Sequence, residues 1–276
     1  MRVLGRCEIT ALQSQLLHIQ SKMTNHLNNL RVLLMQSRNP LNIGAVARAM
    51  SNFGALRLRV VNPYEVAFRD ARSAVGASEL LAKAELYDDI APAVADCQLV
   101  VGTTAIGERD LQHRSYTLEV GARTIKKQLQ TGRVALLFGS ERYGLSNQEL
   151  SHCHWVMRIP TREEHGSMNL GQAAAVCLYE LARGRKATLG KNTAAQKNKA
   201  AATSAEMERM TQVFLEVLHE SGYIKPRAVA ADEKLRRLVW RLKLNSNDAE
   251  VLLGMFRQIA WKVGATEKQE KSAKKK

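Results

Sequence analysis

RVLLMQSRNPLNIGAVARAMSNFG, residues 31–54, decides the fold. Arg31–Met35 is a short apolar run of the kind that forms a strand covered on both faces. A polar break and Pro40 follow, and Asn42–Asn52 carries a helical pattern. Asn39 or Asn42 can cap that helix and Gly54 can end it. One strand leads directly into one helix. The same alternation recurs along the chain. Strand-like runs occupy Leu56–Val61, Gln98–Thr103, Val134–Phe138 and Trp155–Ile159, with a weaker one near Leu86. Helical patterns cover Ala71–Ala84, Ile90–Asp96, Leu118–Gln130 and Met168–Ala182. Apolar strands separated by helices predict an α/β domain with a mostly parallel sheet and helices on both faces.

The domain so defined spans residues 30–183 of 276. Ahead of it, Met1–Asn29 places Ile9, Leu12, Leu16, Ile19, Met23 and Leu27 at helical steps, and Met23 leaves a second start site open. Residues 184–205 lack apolar periodicity and read as a basic linker. Residues 206–264 hold three helical patterns. Their expected inner faces are Met210, Val213, Phe214, Val217 and Leu218, then Leu235, Leu238, Val239 and Leu242, then Val251, Met255, Phe256 and Ile259. Asn247 and Glu250 have capping-box spacing at the start of the third. So small a unit is marginal alone and is expected to dock. Residues 265–276 read as a disordered basic tail.

Composition narrows the function classes. Apolar residues at 45% and charged residues at 24% are those of a globular chain. The longest uncharged stretch, Gly166–Tyr179, has 14 residues, too short for a membrane span. No signal peptide is apparent, and four scattered cysteines with no CxxC point to a reducing cytoplasm. His152-Cys153-His154 is a poor metal site, because adjacent side chains point apart and no second ligand pair lies at metal spacing. The net charge is +15, yet residues 32–182 hold 16 basic and 15 acidic residues. Residues 183–199 hold six basic residues and no acidic one. Cationic extremities around a neutral body point to a polyanion, nucleic acid first.

Three segments have the makings of a site. In the first, Gly44, Ala45, Ala47 and Ala49 permit close backbone packing, and Arg48 is the one charge of its helix. It reads as a surface arginine or as one aimed at phosphate or a reacting oxygen. In the second, Leu137–Leu150, a strand ends in a loop with Gly139, Glu141 and Gly144, and Ser146 with Glu149 has capping-box spacing. Such loops at strand ends bind ligands in α/β proteins. The loop fits neither GxGxxG nor GxxxxGK. In the third, Ile159–Val176, a polar loop with Gly166, Ser167, Met168 and Asn169 opens a helix of very small residues.

In this order, NIGAVARAMSNFG, LLFGSERYGLSNQEL and RIPTREEHGSMNLGQAAAV resemble the three motifs of the SpoU-type (SPOUT) RNA ribose methyltransferases. Beyond the linker, Glu220–Ile224 and Lys234–Leu238 resemble the helical extension of a branch that methylates the 2′-hydroxyl of a pyrimidine at position 32 of the tRNA anticodon loop. The resemblance implies a trefoil-knotted α/β sheet, a homodimer with the site completed at the subunit interface, and S-adenosylmethionine as cofactor. It implies cofactor contacts from Thr103, Thr104, Ala105, Gly139, Glu141, Ile159, Gly166, Ser167, Met168 and Asn169. Arg48 matches the family's catalytic arginine, with Ser167 and Asn169 orienting ribose or cofactor. No metal is implied. A guanidinium stays protonated, so Arg48 suits alkoxide stabilisation and phosphate holding better than proton abstraction. Two other readings remain: a ribosomal RNA or different tRNA position as target, and a non-catalytic RNA-binding factor. Ser-Met-Asn-Leu stands where the family usually has Ser-Leu-Asn-Leu, a volume-conserving change.

Overall fold

A computed structural model of the chain describes residues 27–71, 76–105, 113–162, 166–183, 201–225 and 229–273. Most of the amphipathic pattern of residues 1–29 and most of the basic linker lie outside these residues.

Seven strands form one sheet, every neighbouring pair parallel. They are β1 (Leu30–Met35), β2 (Leu58–Val61), β3 (Glu85–Tyr87), β4 (Leu99–Thr104), β5 (Ser115–Thr117), β6 (Val134–Phe138) and β7 (Trp155–Arg158), in the order β3-β2-β1-β6-β4-β7-β5. β1 and β6 are buried along their whole length, as expected for strands covered on both faces. Alternate residues divide between two cores. Val32, Leu34, Leu136 and Phe138 enter one, and Leu33, Met35, Ala135 and Leu137 the other.

The first core is roofed by α1 (Pro40–Phe53), α2 (Glu65–Ala71), α3 (Ser78–Ala82), α5 (Leu118–Gln128) and α7 (Leu170–Ala182). Within the sheet domain the described residues place the short α4 (Ile90–Val94) and α6 (Asn147–Ser151) on the second face. Three C-terminal helices, α8 (Ser204–Glu220), α9 (Val229–Trp240) and α10 (Ser246–Ala273), complete that cover and share its core through Met207, Met210, Val239, Trp240 and Ala249. The expected docking is therefore onto the sheet's own second face. Ser204 Oγ donates to Cys97 O at 2.6 Å, and Ala205 N to Ala95 O at 2.9 Å.

Several expectations need correction. Of the helix expected over Ala71–Ala84, the described residues show Ala71 in α2 and then α3 at Ser78–Ala82 alone, with Gly76 at a left-handed φ of 82° before α3. β5 carries no apolar run and escaped the sequence reading; it pairs with β7 at the sheet edge. Leu238, Leu242, Val251, Met255 and Ile259 are exposed rather than inward. Trp240 takes the inner place on α9, with ring centroids 5.7 Å from His152 and 5.1 Å from His154. The third extension helix is capped by Asn245, whose Oδ1 accepts from Asp248 N at 3.0 Å, not by Asn247. α10 continues to Ala273, into the stretch expected as a tail, where Ala, Glu, Gln and Lys are all strong helix formers.

Candidate active site

The carboxyl ends of β1, β4, β6 and β7 meet at one side of the sheet, where open parallel sheets bind ligands. A cleft of about 610 Å³ opens there. All ten residues expected to contact cofactor line it: Thr103, Thr104 and Ala105 after β4, Gly139 and Glu141 after β6, Ile159 after β7, and Gly166, Ser167, Met168 and Asn169 before α7.

Each loop is shaped by its own sequence. Asn39 caps α1, its Oδ1 accepting from Leu41 N at 2.9 Å, and Gly54 closes it with φ 73°. Beyond β6, Ser140 and Gly144 exchange backbone hydrogen bonds at 3.2 and 2.9 Å, folding Ser140–Gly144 into a tight turn. Gly139 permits this: a Cβ there would stand 2.0 Å from the Gly144 carbonyl carbon. The expected capping box is present, with Ser146 Oγ accepting from Glu149 N at 3.2 Å and Ser146 N donating to Glu149 Oε2 at 2.6 Å. Before α7, Asn169 Oδ1 accepts from Gly171 N at 2.9 Å and Gln172 N at 3.3 Å. Gly171 lies so close to α1 that a Cβ would stand 2.5 Å from Ala45 Cβ, which is the close packing expected of the two small-residue helices.

The three motifs are joined by side chains. Ser37 Oγ donates to Glu141 Oε1 at 2.6 Å, and the backbone N–H groups of Arg38 and Asn39 donate to the same carboxylate at 3.3 Å each. Burial pushes the Glu141 carboxyl up, but the bonds from Ser37 and the loop amides outweigh it and hold it below the usual carboxylate range. Asn42 bridges the rest. Its Nδ2 donates to Glu141 Oε1 at 3.4 Å, and its Oδ1 accepts from Asn169 Nδ2 at 2.9 Å. Glu141 thus orders the β1–α1 loop. Asn42, read from sequence only as a possible helix cap, is the hinge-pin of all three loops.

Arg48 does not line this cleft. It sits on the exposed side of α1, at helical spacing from exposed Leu41 and Ala45, and its guanidinium lies against Gly76. The structure brings Ser167 and Asn169 together with the other eight expected cofactor residues and leaves Arg48 outside the lining. His152 and His154 pack against Trp240, and burial lowers both imidazoles to about 4. Their role is thus structural.

The cleft suits a nucleoside-bearing cofactor. Its volume is that of a small-molecule site. Leu145, Met157, Ile159 and Met168 are among its apolar lining residues, and Asn42, Thr103, Thr104 and Ser167 among its polar ones.

Residues 29–179 match the SpoU rRNA Methylase family. The chain is 34% identical over 245 residues to the tRNA (cytidine/uridine-2′-O-)-methyltransferase TrmJ of Sodalis glossinidius, covering 84% of this chain and 92% of that protein. It is 32% identical over 247 residues to an uncharacterized tRNA/rRNA methyltransferase of Haemophilus influenzae, covering 87% and 98%. Among solved structures, TrmJ from Z. mobilis ZM4 superposes with a TM-score of 0.72 at 31% identity, over 83% of this chain and 98% of that one. With three motifs converging on one cleft of a parallel sheet, and similarity over most of its length, the chain belongs to the SpoU methylase family.

Proposed function

We propose that this chain is an S-adenosylmethionine-dependent enzyme that methylates the ribose 2′-hydroxyl of a pyrimidine at position 32 of the tRNA anticodon loop. One observation carries the reading: Glu141, Asn42 and Asn169 tie the three motif loops around a single cleft. The names of the TrmJ relatives, which match over 84% of this chain, support the tRNA target. The trefoil knot implied by the resemblance belongs to the same reading. So does a cytoplasmic location, which three buried free thiols suit.

When bound, the cofactor supplies an electrophilic methyl on a sulfonium. Thr103–Ala105, Gly139, Glu141, Ile159 and Gly166–Met168 would hold it, and Ser167 and Asn169 would orient the ribose. The 2′-oxygen would bond to that methyl and lose its proton to solvent, the carbon–sulfur bond breaking so that a neutral thioether is left. The alkoxide developing on that oxygen needs a fixed cation. Arg48 is the one proposed, delivered by a second subunit. The exposed side of α1 and α7 supports a homodimer: Leu41 is 80% and Tyr179 54% exposed, and Val176 lies with them. Arg48 shares this side, so pairing through it carries one subunit's arginine to the other's cleft.

Methyl transfer from labelled S-adenosylmethionine to unmodified bulk tRNA, with Arg48→Ala alongside and the modified ribose mapped, tests the proposal. Label at position 32, lost in the variant, is expected. Label on ribosomal RNA alone favours the other substrate, to which the family's description points. RNA binding without any label reduces the protein to an RNA-binding factor.

A further inference from the structure

The loop Gly139–Ser146 has a role for almost every residue. Gly139 and Gly144 allow its tight turn, Ser140 pins it, Glu141 reaches back to the β1–α1 loop, Leu145 is buried and Ser146 caps α6. Arg142 and Tyr143 are left over. Both are exposed, and both line the mouth of the cleft. Tyr143 is 66% exposed, and the Arg142 guanidinium sits 5.1 Å from its ring centroid.

An exposed tyrosine is costly to hold in one place unless its backbone is fixed. Here it is: Tyr143 N donates to Ser140 Oγ at 3.3 Å inside the closed turn, and Glu141, two residues earlier, is tied to Ser37. Proteins that read single-stranded RNA present such a combination, an aromatic face on which a base stacks with an arginine beside it for charge and for a second plane. Ser167 and Asn169, read as orienting the ribose, line the same cleft as Arg142 and Tyr143, so the base attached to that ribose comes within reach of the pair.

We infer that Arg142 and Tyr143 form a stacking platform for the base of the nucleotide whose ribose enters the cleft. The inference rests on the RNA-methyltransferase reading and adds a base-binding subsite to it. Stacking accepts any base face, so the platform contributes affinity and placement rather than choice between C and U.

The test measures binding of an unmodified anticodon stem-loop RNA and of S-adenosylmethionine separately, together with methyl transfer. For Tyr143→Ala, RNA affinity is expected to fall about 5- to 150-fold, the range of one lost base stack, with cofactor affinity unchanged. Tyr143→Phe retains the ring and is expected to bind like the parent. An RNA with an abasic target nucleotide is expected to bind the parent weakly and to lose nothing further on Tyr143→Ala. Unchanged RNA affinity in Tyr143→Ala overturns the platform. So does an equal loss of cofactor affinity, which places the ring against the cofactor, or an undiminished effect on the abasic RNA, which places it against another base. If the parent transfers no methyl yet Tyr143→Ala still weakens RNA binding, the enzyme reading fails while the platform stands.

Discussion

Asn42 Oδ1 accepts a hydrogen bond from Asn169 Nδ2 at 2.9 Å, across 127 positions of sequence. Through its other amide atom Asn42 also donates to Glu141. Truncating it separates three loops that meet at one cleft. Asn42→Ala is expected to lower kcat by about 100-fold, the usual effect of an ångström-scale misplacement. Because Asn42 is not buried, the melting temperature should hardly move. Asn42→Asp keeps the Oδ1 acceptor but sets a second carboxylate beside Glu141, so it should be no better. Steady-state kinetics with a thermal melt distinguishes this from general destabilisation.

Gly139→Ala brings a methyl group to within 2.0 Å of the Gly144 backbone, and backbone cannot yield as a flexible side chain can. The β6–α6 turn must open. Cofactor binding is expected to be lost, while far-ultraviolet circular dichroism keeps the parent's helical content. A parent-like cofactor Kd would show that the turn is not part of the cofactor site.

Arg48 lies outside its own subunit's cleft and Asn169 lines it. If a second subunit supplies the arginine, Arg48→Ala and Asn169→Ala damage different chains' contributions to one site. Each variant alone should be inactive. Mixed after co-expression or subunit exchange, half of the dimers carry one intact site, and about a quarter of parental activity should return. A mixture as inactive as its parts places both residues in the same subunit's site.

Trp240 is buried between His152 and His154 and joins the C-terminal helices to the sheet. Trp240→Ala is expected to cost about 3–5 kcal/mol. The same junction should be acid-sensitive. His152 faces Glu208, Arg236 and Asp89, and burial with the Arg236 charge outweighs the two carboxylates. Both folded imidazoles titrate at about 4, against an ordinary value of 6.5. Between those values the unfolded chain binds more protons than the folded one, so stability falls as pH drops from about 6.5 and levels off below about 4. Urea midpoints measured across that window check the sign. A flat profile would mean that the imidazoles are solvated.

Burial pushes the Cys97 and Cys177 thiols up to about 12, and Cys153 is also raised. A thiolate-directed reagent should therefore modify none of the three in the native protein and all of them in denaturant.

The strands were legible because each central one is a run of apolar residues, and the helix ends because Asn39, Gly54 and Ser146 carry cap chemistry in their own side chains or backbone freedom. β5 was not, since Ser115–Thr117 becomes a strand only by lying beside β7. The exposed stripe Val251, Met255 and Ile259 misled because periodicity reports that a helix has an apolar face without reporting what covers it. Trp240 lay next to the expected stripe, and its place was decided by two histidine rings on another element.

The sequence by itself determined an α/β chain of parallel strands, the three loops that line the cleft, and the need for Gly171 and Ala45 to be small, because periodicity, capping and side-chain size are local properties. Only the tertiary structure decided that β6 lies between β1 and β4, that Asn42 joins Glu141 to Asn169, and that Arg48 lies outside the lining of its own chain's cleft. Those are long-range relationships, set by how layers pack on both faces of the sheet, and no short-range pattern encodes them.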